Sequence, residues 1–431
     1  MGEPINGILL LYHWWLVPNA PTIAEHMGAF ERHSRFKVWA VNTALEFPAG
    51  LSDLDFQIIV LHYSLFGWYP FSLSKRFLEY VERSHRSYKI AFFQDEYRYW
   101  PQRVELINRC KIQCVYTLLQ PANFKDTYLK YTHAPKLIST LPGYVSDDLM
   151  SVAQELTKPE RDRTIDIGYR GRRLPYLFGR GSQEKHEIGR RFRERAHSLG
   201  LKLDLESRED KRLYGRKYYS FLADCRAVLG VEAGVSICDI DDVVRPAYER
   251  LLAENSRISI EEAHAQLLYR YEDNIPYRTI SPRHFEAAAL RVCQILFEGE
   301  YSGVMKAMVH YIPLKKDFSN FDEVIHQFKN KKLRHDLTEN AYRDLIASGR
   351  YSYRRFVEGF DEELSSAGFK SEIATSRLQQ VTELLNRGIT YRRFRTRITS
   401  LRYRHFPGRR FVAPMARSVL RRVSGAGWEQ R

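Results

Sequence analysis

Cysteine is scarce in this chain of 431 residues, which contains only five cysteines. An odd and small number of cysteines in a long chain does not suggest a disulfide framework, so we expect a reducing compartment. Cys110 and Cys114 are four residues apart, but no second Cys or His pair stands at the spacing of a structural zinc site. The cysteine content therefore argues against both a disulfide scaffold and a zinc site.

Long apolar runs are also missing. The N-terminal run GILLLYHWWLV has no basic leader and is followed by Pro18 and Pro21. It is too short to span a bilayer and does not have the flanks of a signal peptide. No other segment approaches the roughly 18 apolar residues that a spanning helix needs. We therefore expect a cytoplasmic protein, or one attached to a membrane only from its surface.

Several well-known catalytic motifs are absent. The sequence has no Walker loop, no G-x-G-x-x-G, no H-E-x-x-H and no nucleophile elbow. The metal-binding pattern D-x-D occurs twice, at residues 53–55 and 239–241, but so short a motif arises easily by chance. We therefore predict no metal site.

Positive charge is concentrated at the C-terminal end. Residues 370–431 contain 15 Lys and Arg against 3 Glu, so this segment accounts for most of the formal net charge of +15. Apolar side chains at helical spacing predict a basic amphipathic helix within residues 390–422, of the kind that lies on anionic lipid. A solvated tail and a nucleic-acid-binding tail are the alternatives. The apolar members of this pattern are Tyr391, Phe394, Ile398 and Leu401.

Strand-like and helix-like segments alternate over most of the chain. Six apolar runs in the first 145 residues are separated by helical patterns, and the alternation restarts after the polar stretch at 157–163. Such alternation predicts an α/β protein with two doubly wound parallel sheets. We predict a first Rossmann-like domain at 1–150, a second at 151–369 with closing helices, and the basic tail at 370–431.

The segment SPRHFEAAALRVCQILFEGEYSG at 281–303 is the most informative one. Ser281 and Pro282 suit the start of a helix, VCQILF is typical of a buried strand, and a polar loop follows it. A helix N-terminus beside the loop at a strand's carboxyl end attracts anions such as a diphosphate.

This segment resembles the donor-binding part of GT-B glycosyltransferases, in particular the group 1 and CgeB-like branch, through Arg283, Phe285, Glu286, Ala287 and Ala288. The resemblance implies two Rossmann-like domains facing across a cleft and a nucleotide-sugar donor, with no need for a divalent metal. It also implies that Glu286 bonds the ribose hydroxyls. The other glutamate of the family's motif falls at Arg278 and is missing here. An Arg283–Glu286 surface ion pair is the alternative reading.

Three further parts of the second domain are similar in place to donor-binding loops. Arg170 and Arg172 follow the first strand and could bind a diphosphate, although an ordinary basic turn fits equally well. Ser236 closes a small-residue loop that could contact the nucleotide or form a simple turn. The loop at 298–303 could bind the sugar and diphosphate or be a plain exposed loop. Its candidates are Glu298, Tyr301, Ser302 and Gly303.

Polar side chains follow three strands of the first domain, at the edge where function concentrates in such folds. An acceptor hydroxyl loses a proton as it attacks, so an inverting enzyme needs a base there. The candidates are Asp95, Glu96, His13 and His62. A structural histidine and a helix-capping carboxylate are the alternatives.

These patterns together predict a glycosyltransferase that transfers a sugar from a nucleotide-sugar to a carbohydrate or lipid-linked acceptor at a cytoplasmic membrane face, in surface polysaccharide or glycan synthesis. A nucleic-acid-binding protein that acts through its arginine-rich tail is one alternative. A GT-B-like assembly partner without catalysis is another.

Overall fold

The computed structural model describes residues 3–14 and 21–387. The amphipathic helix predicted within residues 390–422 lies outside these ranges.

The first half of the chain forms a six-stranded parallel sheet in the order β2-β1-β3-β4-β5-β6. Except for the edge strand at Lys136–Ser139, its strands are apolar runs that are mostly buried, as expected where helices cover both sides of a parallel sheet. The elements are β1 (Ile5–Tyr12), α1 (Pro21–His33), β2 (Val38–Asn42), β3 (Phe56–Leu61), α2 (Lys75–Arg83), β4 (Tyr88–Phe92), α3 (Trp100–Cys110), β5 (Cys114–Thr117), α4 (Tyr128–Tyr131), β6 (Lys136–Ser139) and α5 (Asp147–Leu156).

The second half forms a five-stranded parallel sheet in the order β13-β12-β9-β7-β8, with a separate antiparallel hairpin of β10 and β11. Its elements are β7 (Ile165–Arg170), α6 (Arg180–Ala196), β8 (Leu203–Glu206), α7 (Arg216–Asp224), β9 (Cys225–Gly230), β10 (Ala233–Val235), α8 (Val244–Glu254), α9 (Ile260–Gln266), β11 (Tyr277–Thr279), α10 (Pro282–Ala289), β12 (Cys293–Phe297), β13 (Ile312–Leu314), α11 (Phe321–Lys329), α12 (Lys331–Ala341), α13 (Tyr353–Ser366) and α14 (Thr375–Asn386).

The two parallel sheets confirm the predicted fold class, and the differences from the predicted elements are local. Between β5 and β6, the chain forms only a 3-10 turn at Pro121–Asn123 and the single turn α4. The hairpin of β10 and β11 was not predicted, because three-residue strands carry too little periodicity. It depends on Gly234, whose φ is +123° and whose Cβ, if present, would lie 1.9 Å from the Tyr277 carbonyl oxygen.

The last described helices return to the first half of the chain. The buried Asp361 of α13 accepts hydrogen bonds from the Ser34 hydroxyl at 2.7 Å and the Arg35 backbone N–H at 2.5 Å. In α14, the Thr382 hydroxyl accepts from the Trp39 indole N–H at 3.1 Å. Residues 353–386 therefore connect the second half to the helices and strands of the first.

Buried contacts join the two halves beside the ends of their strands. The Tyr277 hydroxyl of β11 donates to a carboxylate oxygen of Glu96 at 3.3 Å, and the Tyr97 ring packs 4.9 Å from the Phe178 ring. The Asp239 backbone N–H donates to the Tyr97 carbonyl at 3.0 Å. These contacts bring the segment after β4 against the second half, so the carboxyl edges of both sheets meet at one place.

Candidate functional site

A cavity of about 300 Å³ lies where the two sheet edges meet. The first half contributes the segment after β4, and the second contributes the segment after β7, the end of β9, two helices and the start of α10. The polar and aromatic side chains that line it are Asp95, Tyr97, Tyr169, Arg170, Arg172, Lys185, Arg212, Tyr218, Phe221, Ser281, Arg283 and His284.

Positive charge dominates the cavity. Lys185 projects from the N-terminal part of α6, and burial lowers the pKa of its ammonium group to about 8. Arg283, Arg172 and Arg278 lower this pKa further, whereas Asp95 raises it. Gathering cations in this way is unfavourable until an anion enters, so the arrangement favours an anionic ligand.

Arg283 reaches the cavity from the start of α10. Ser281 is the N-cap residue and Pro282 occupies the first turn, as the sequence predicted. The Arg283 guanidinium lies 5.6 Å from the centre of the Tyr218 ring and donates to the Arg170 carbonyl oxygen. These contacts fix the guanidinium beside the cavity while leaving the side chain exposed to it.

Arg170 has a different role from its neighbours. Its guanidinium donates to the Asp204 carboxylate at 2.7 Å and to the Asp204 carbonyl oxygen at 3.0 Å, and it stacks 4.0 Å from the Phe221 ring. Much of its hydrogen-bonding capacity is therefore used within the protein. The loop after Arg170 lies so close to α6 that a Cβ on Gly171 would be only 2.5 Å from the Lys185 carbonyl oxygen.

Asp95 is the carboxylate that the first half presents to the cavity. It follows β4, has a φ of +53° and is exposed. Its carboxylate lies 3.8 Å from Nη2 of Arg98. The left-handed backbone turns this residue out of the sheet edge and toward the second half.

The other predicted candidates of the first half do not line the cavity. Glu96 is buried, where its carboxylate accepts from the Tyr128 hydroxyl at 2.5 Å, the Leu118 N–H at 3.0 Å and the Thr117 hydroxyl. Burial raises its pKa. These three bonds lie within the first half, and the Tyr277 hydroxyl adds one from the second half. Together they leave Glu96 out of reach of a ligand in the cavity.

The two histidines are also held within the first half. His62 is fully buried, with Nε2 3.0 Å from Nδ1 of His26 and Nδ1 2.9 Å from the Ser64 hydroxyl. Burial lowers the pKa of His62, and the neighbouring His26 lowers it further. His13 is half-buried beside Thr43, with 3.5 Å between its Nδ1 and the Thr43 hydroxyl oxygen, and burial lowers its pKa as well.

Ser236 and the loop at 298–303 lie outside the cavity wall. The Ser236 hydroxyl accepts the Gly181 N–H at 2.8 Å, so it supports the start of α6. Tyr301 is buried and donates to the Phe297 carbonyl at 2.6 Å. The Ser302 hydroxyl accepts the Ile280 N–H at 3.1 Å. Glu298 is exposed and Gly303 has a φ of +71°. Through the hydrogen bond between Ser302 and Ile280, this loop supports the segment that precedes α10.

Glu286 lies on α10 three residues after Arg283 and does not line the cavity itself. Burial raises the pKa of its carboxyl group to about 7, and Arg283 opposes that rise. Its Oε2 is buried and has no hydrogen-bond partner within the described part of the chain. A carboxyl group in this state would gain from a hydrogen-bond donor such as a hydroxyl group.

Sequence reasoning missed Lys185, Arg212 and Tyr218. Each lies within or beside a helix whose polar face could equally be solvated, so its residue type gave no signal. The useful clue for Lys185 was its place in the first turns of a helix that follows a basic loop, because such a helix begins at the sheet edge where ligands bind.

No group of three or more His, Cys, Asp or Glu in residues 3–14 and 21–387 is arranged to hold a metal ion. The second D-x-D motif has a structural use, since Asp239 accepts the backbone N–H groups of Val243, Val244 and Arg245 at the start of α8. Within the same ranges, no helix has the length and apolar character needed to cross a membrane.

Comparison with solved structures places this architecture among known folds. An alpha-glucosyltransferase in complex with UDP and a 13-mer DNA matches at a TM-score of 0.50 and 9% identity, covering 84% of this chain and 99% of that one. A complex of an alpha-glucosyltransferase with UDP and DNA containing an HMU base has a TM-score of 0.49 and 12% identity, and the match covers 83% of this chain and 99% of that one. Anabaena Alr3699/HepE with UDP has a TM-score of 0.45 and 11% identity, and the match covers 84% of this chain and 100% of that one.

No protein-family model matches the sequence, and no curated protein matches it. The structural likeness therefore shows the fold and no more. Two Rossmann-like sheets with facing carboxyl edges give this chain the GT-B fold.

Proposed function

We propose that this protein is a glycosyltransferase that moves a sugar from a nucleoside diphosphate sugar to an acceptor hydroxyl. One observation carries the proposal: Arg172, Lys185 and Arg283 converge on a cavity between the two halves of a GT-B fold. Phosphate groups are the ligands that suit several cations held beside a helix N-terminus.

The crowded cations have a direct chemical use in this reaction. As the bond between the sugar and the diphosphate breaks, negative charge develops on the departing diphosphate. Lys185 and Arg283, already held at the cavity, would stabilise that charge without reorganising. Holding these cations together costs free energy in the protein without ligand, as the lowered pKa of Lys185 indicates.

Asp95 would act on the acceptor. In an inverting transfer, the acceptor oxygen forms a bond to the anomeric carbon, the bond to the diphosphate breaks, and the acceptor proton must leave. Asp95 is the exposed carboxylate that the first half places at the cavity, so it is our proposed general base. His13, His62 and Glu96 are less suitable, because their polar atoms are used within the first half.

Glu286 is our proposed contact for the ribose of the donor. It shares α10 with Arg283, and its unpartnered carboxylate oxygen could accept a ribose hydroxyl. The resemblance to the group 1 and CgeB-like branch rests on the same helix and stays a prediction.

Carbohydrates and lipid-linked saccharides are the acceptors we propose, in glycan or surface polysaccharide synthesis. Residues 390–422 would attach the protein to an anionic membrane surface. The nucleic-acid alternative is less well supported. The net positive charge of residues 1–369 is small, and the cations of the proposed donor site line a cavity rather than an open surface.

Nucleotide binding tests the proposal. Because the alpha-glucosyltransferase of the same fold was solved with UDP, UDP and its sugars come first, followed by GDP, ADP and CMP. We expect one nucleotide to raise the unfolding midpoint, and Arg283→Gln to weaken its affinity about 10- to 100-fold in calorimetric titration.

Arg250→Gln is the matched control, since Arg250 lies exposed on α8 and away from the cavity. It should leave nucleotide affinity unchanged. If the native protein bound no nucleotide, or if both variants bound equally well, the proposed donor site would be wrong.

A further inference from the structure

Two aromatic side chains project into solvent beside the cleft. The Trp68 side chain is 55% exposed and that of Tyr69 is 42% exposed. Both lie in the loop between β3 and α2. Large aromatic side chains exposed at neighbouring positions are typical of binding surfaces, since apolar area left in contact with water can be buried against a ligand.

The backbone of this loop is held firmly although its two rings are exposed. Phe66 is fully buried, and the Ser72 N–H donates to the Leu65 carbonyl at 2.9 Å. Arg103, itself fully buried, donates to the Phe66 carbonyl at 3.2 Å, and Arg98 donates to the Gly67 carbonyl at 2.8 Å. The rings are therefore presented by a preorganised loop, which lowers the cost of binding.

Arg98 connects this loop to the cavity. Its guanidinium lies 4.6 Å from the centre of the Trp68 ring, and its Nη2 lies 3.8 Å from the Asp95 carboxylate. The Trp68 ring and the Asp95 carboxylate are thus within about 10 Å of each other, given these two distances and the short bond between Cζ and Nη2. The Trp68 ring is therefore near the proposed base, with the Arg98 guanidinium between them.

The charges around the loop indicate what kind of ligand fits. Arg98 faces Asp95, and on the neighbouring helix Gln102 donates to the Asp242 carboxylate at 3.2 Å. Two carboxylates, Asp95 and Asp242, thus lie near this loop together with Arg98 and with Arg245, which is 5.2 Å from the Tyr99 ring. Carboxylates in this position are unfavourable for a phosphate backbone. A sugar ring presents C–H bonds on its face and hydroxyl groups at its edge, so it suits an aromatic face flanked by polar groups.

We propose that Trp68 and Tyr69 form an acceptor platform that stacks against the sugar rings of a carbohydrate acceptor and directs its terminal hydroxyl toward Asp95. This inference rests on the proposed glycosyltransferase function. It adds the surface that would bind a carbohydrate acceptor.

Calorimetric titration of the full chain tests the acceptor platform. The probes are maltotriose, cellotriose, chitotriose and mannotriose, each with and without saturating UDP, and a short oligothymidine. We expect one trisaccharide to bind, and Trp68→Ala to weaken that binding about tenfold or more, as for a central aromatic contact. Trp68→Phe should retain most of the affinity, because it keeps an aromatic face.

Tyr269→Ala is the matched control. Tyr269 is 51% exposed, and the Arg270 guanidinium lies 5.5 Å from the centre of its ring. It belongs to the second half and lies outside the cavity. It should not change saccharide affinity. All these variants should bind UDP as the native protein does, since none alters a residue of the proposed donor site.

Three results would overturn the acceptor platform: no trisaccharide binding by a native protein that binds UDP, equal binding by the Trp68→Ala and native proteins, or oligothymidine binding that is tighter than any saccharide and is lost in Trp68→Ala. The last would indicate a nucleic-acid acceptor. Absence of UDP binding would count against the proposed function instead, and Trp68-dependent saccharide binding would still support the platform.

Discussion

Two sheet edges face each other across the cavity, and their polar side chains are used differently. On the first edge, both ring nitrogens of His62 and both carboxylate oxygens of Glu96 have partners inside the protein. On the second edge, Lys185 and Arg283 line a cavity where like charges accumulate. A buried polar group whose partners are complete stabilises the fold, whereas unbalanced charge at a cavity is available to a ligand.

Asp95 is the exception on the first edge, because it is exposed and lines the cavity. Asp95→Asn should lower turnover about 10²- to 10⁴-fold if Asp95 is the base of an inverting transfer. Nucleotide affinity should change far less, because the proposed donor contacts come from the second edge. Steady-state kinetics and calorimetric titration measure the two effects separately.

Retention of full turnover by the Asp95→Asn variant would contradict the proposed role of Asp95. Equal losses in turnover and nucleotide affinity would also do so, since they would show that the residue acts on donor binding.

Substitution of Glu96 tests whether the hydrogen-bonded polar groups of the first edge stabilise the fold. Glu96→Ala should reduce the free energy of unfolding by about 3–5 kcal/mol, because it removes a buried carboxylate and leaves the donors that surround it without partners. Chemical denaturation measures this loss. Glu105→Ala, an exposed substitution on α3, should stay within about 0.5 kcal/mol of the native protein. If Glu96→Ala were as stable as Glu105→Ala, the buried network around Glu96 would not be stabilising the fold.

Lys185 should behave in the opposite way on substitution. Lys185→Met keeps most of the apolar stem and removes a charge whose pKa burial and neighbouring arginines lower to about 8. We expect nucleotide affinity to fall about 10- to 100-fold and the free energy of unfolding at pH 7 to rise by about 1–2 kcal/mol. Lys217→Met, on the exposed face of α7, is the control and should change neither quantity.

The same lysine gives a pH dependence with a definite sign. Below about pH 8 Lys185 is protonated and can pair with a phosphate, and above that pH it loses its charge. Nucleotide affinity of the native protein should therefore fall as the pH rises through 8 to 9, whereas affinity of the Lys185→Met variant should not follow this course. For folding, a depressed lysine pKa costs stability below 8, and that cost disappears as the pH rises toward 10.5. A flat affinity profile for the native protein would contradict a phosphate contact by Lys185.

The two parallel sheets follow from local sequence pattern, because apolar strands alternating with amphipathic helices have few other ways to bury their side chains. The sequence also placed Arg172, Arg283 and Asp95 at strand ends or a helix start, and the structure brings these three residues to one cavity.

The accessibility of the polar residues, in contrast, depends on how distant segments pack together. Asp95 and Glu96 are neighbours in the sequence, yet a left-handed backbone at Asp95 exposes one carboxylate while packing between the halves buries the other. Lys185 lines the cavity only because α6 begins beside it. Accessibility and charge crowding depend on contacts between distant segments, and no local pattern of residues encodes them.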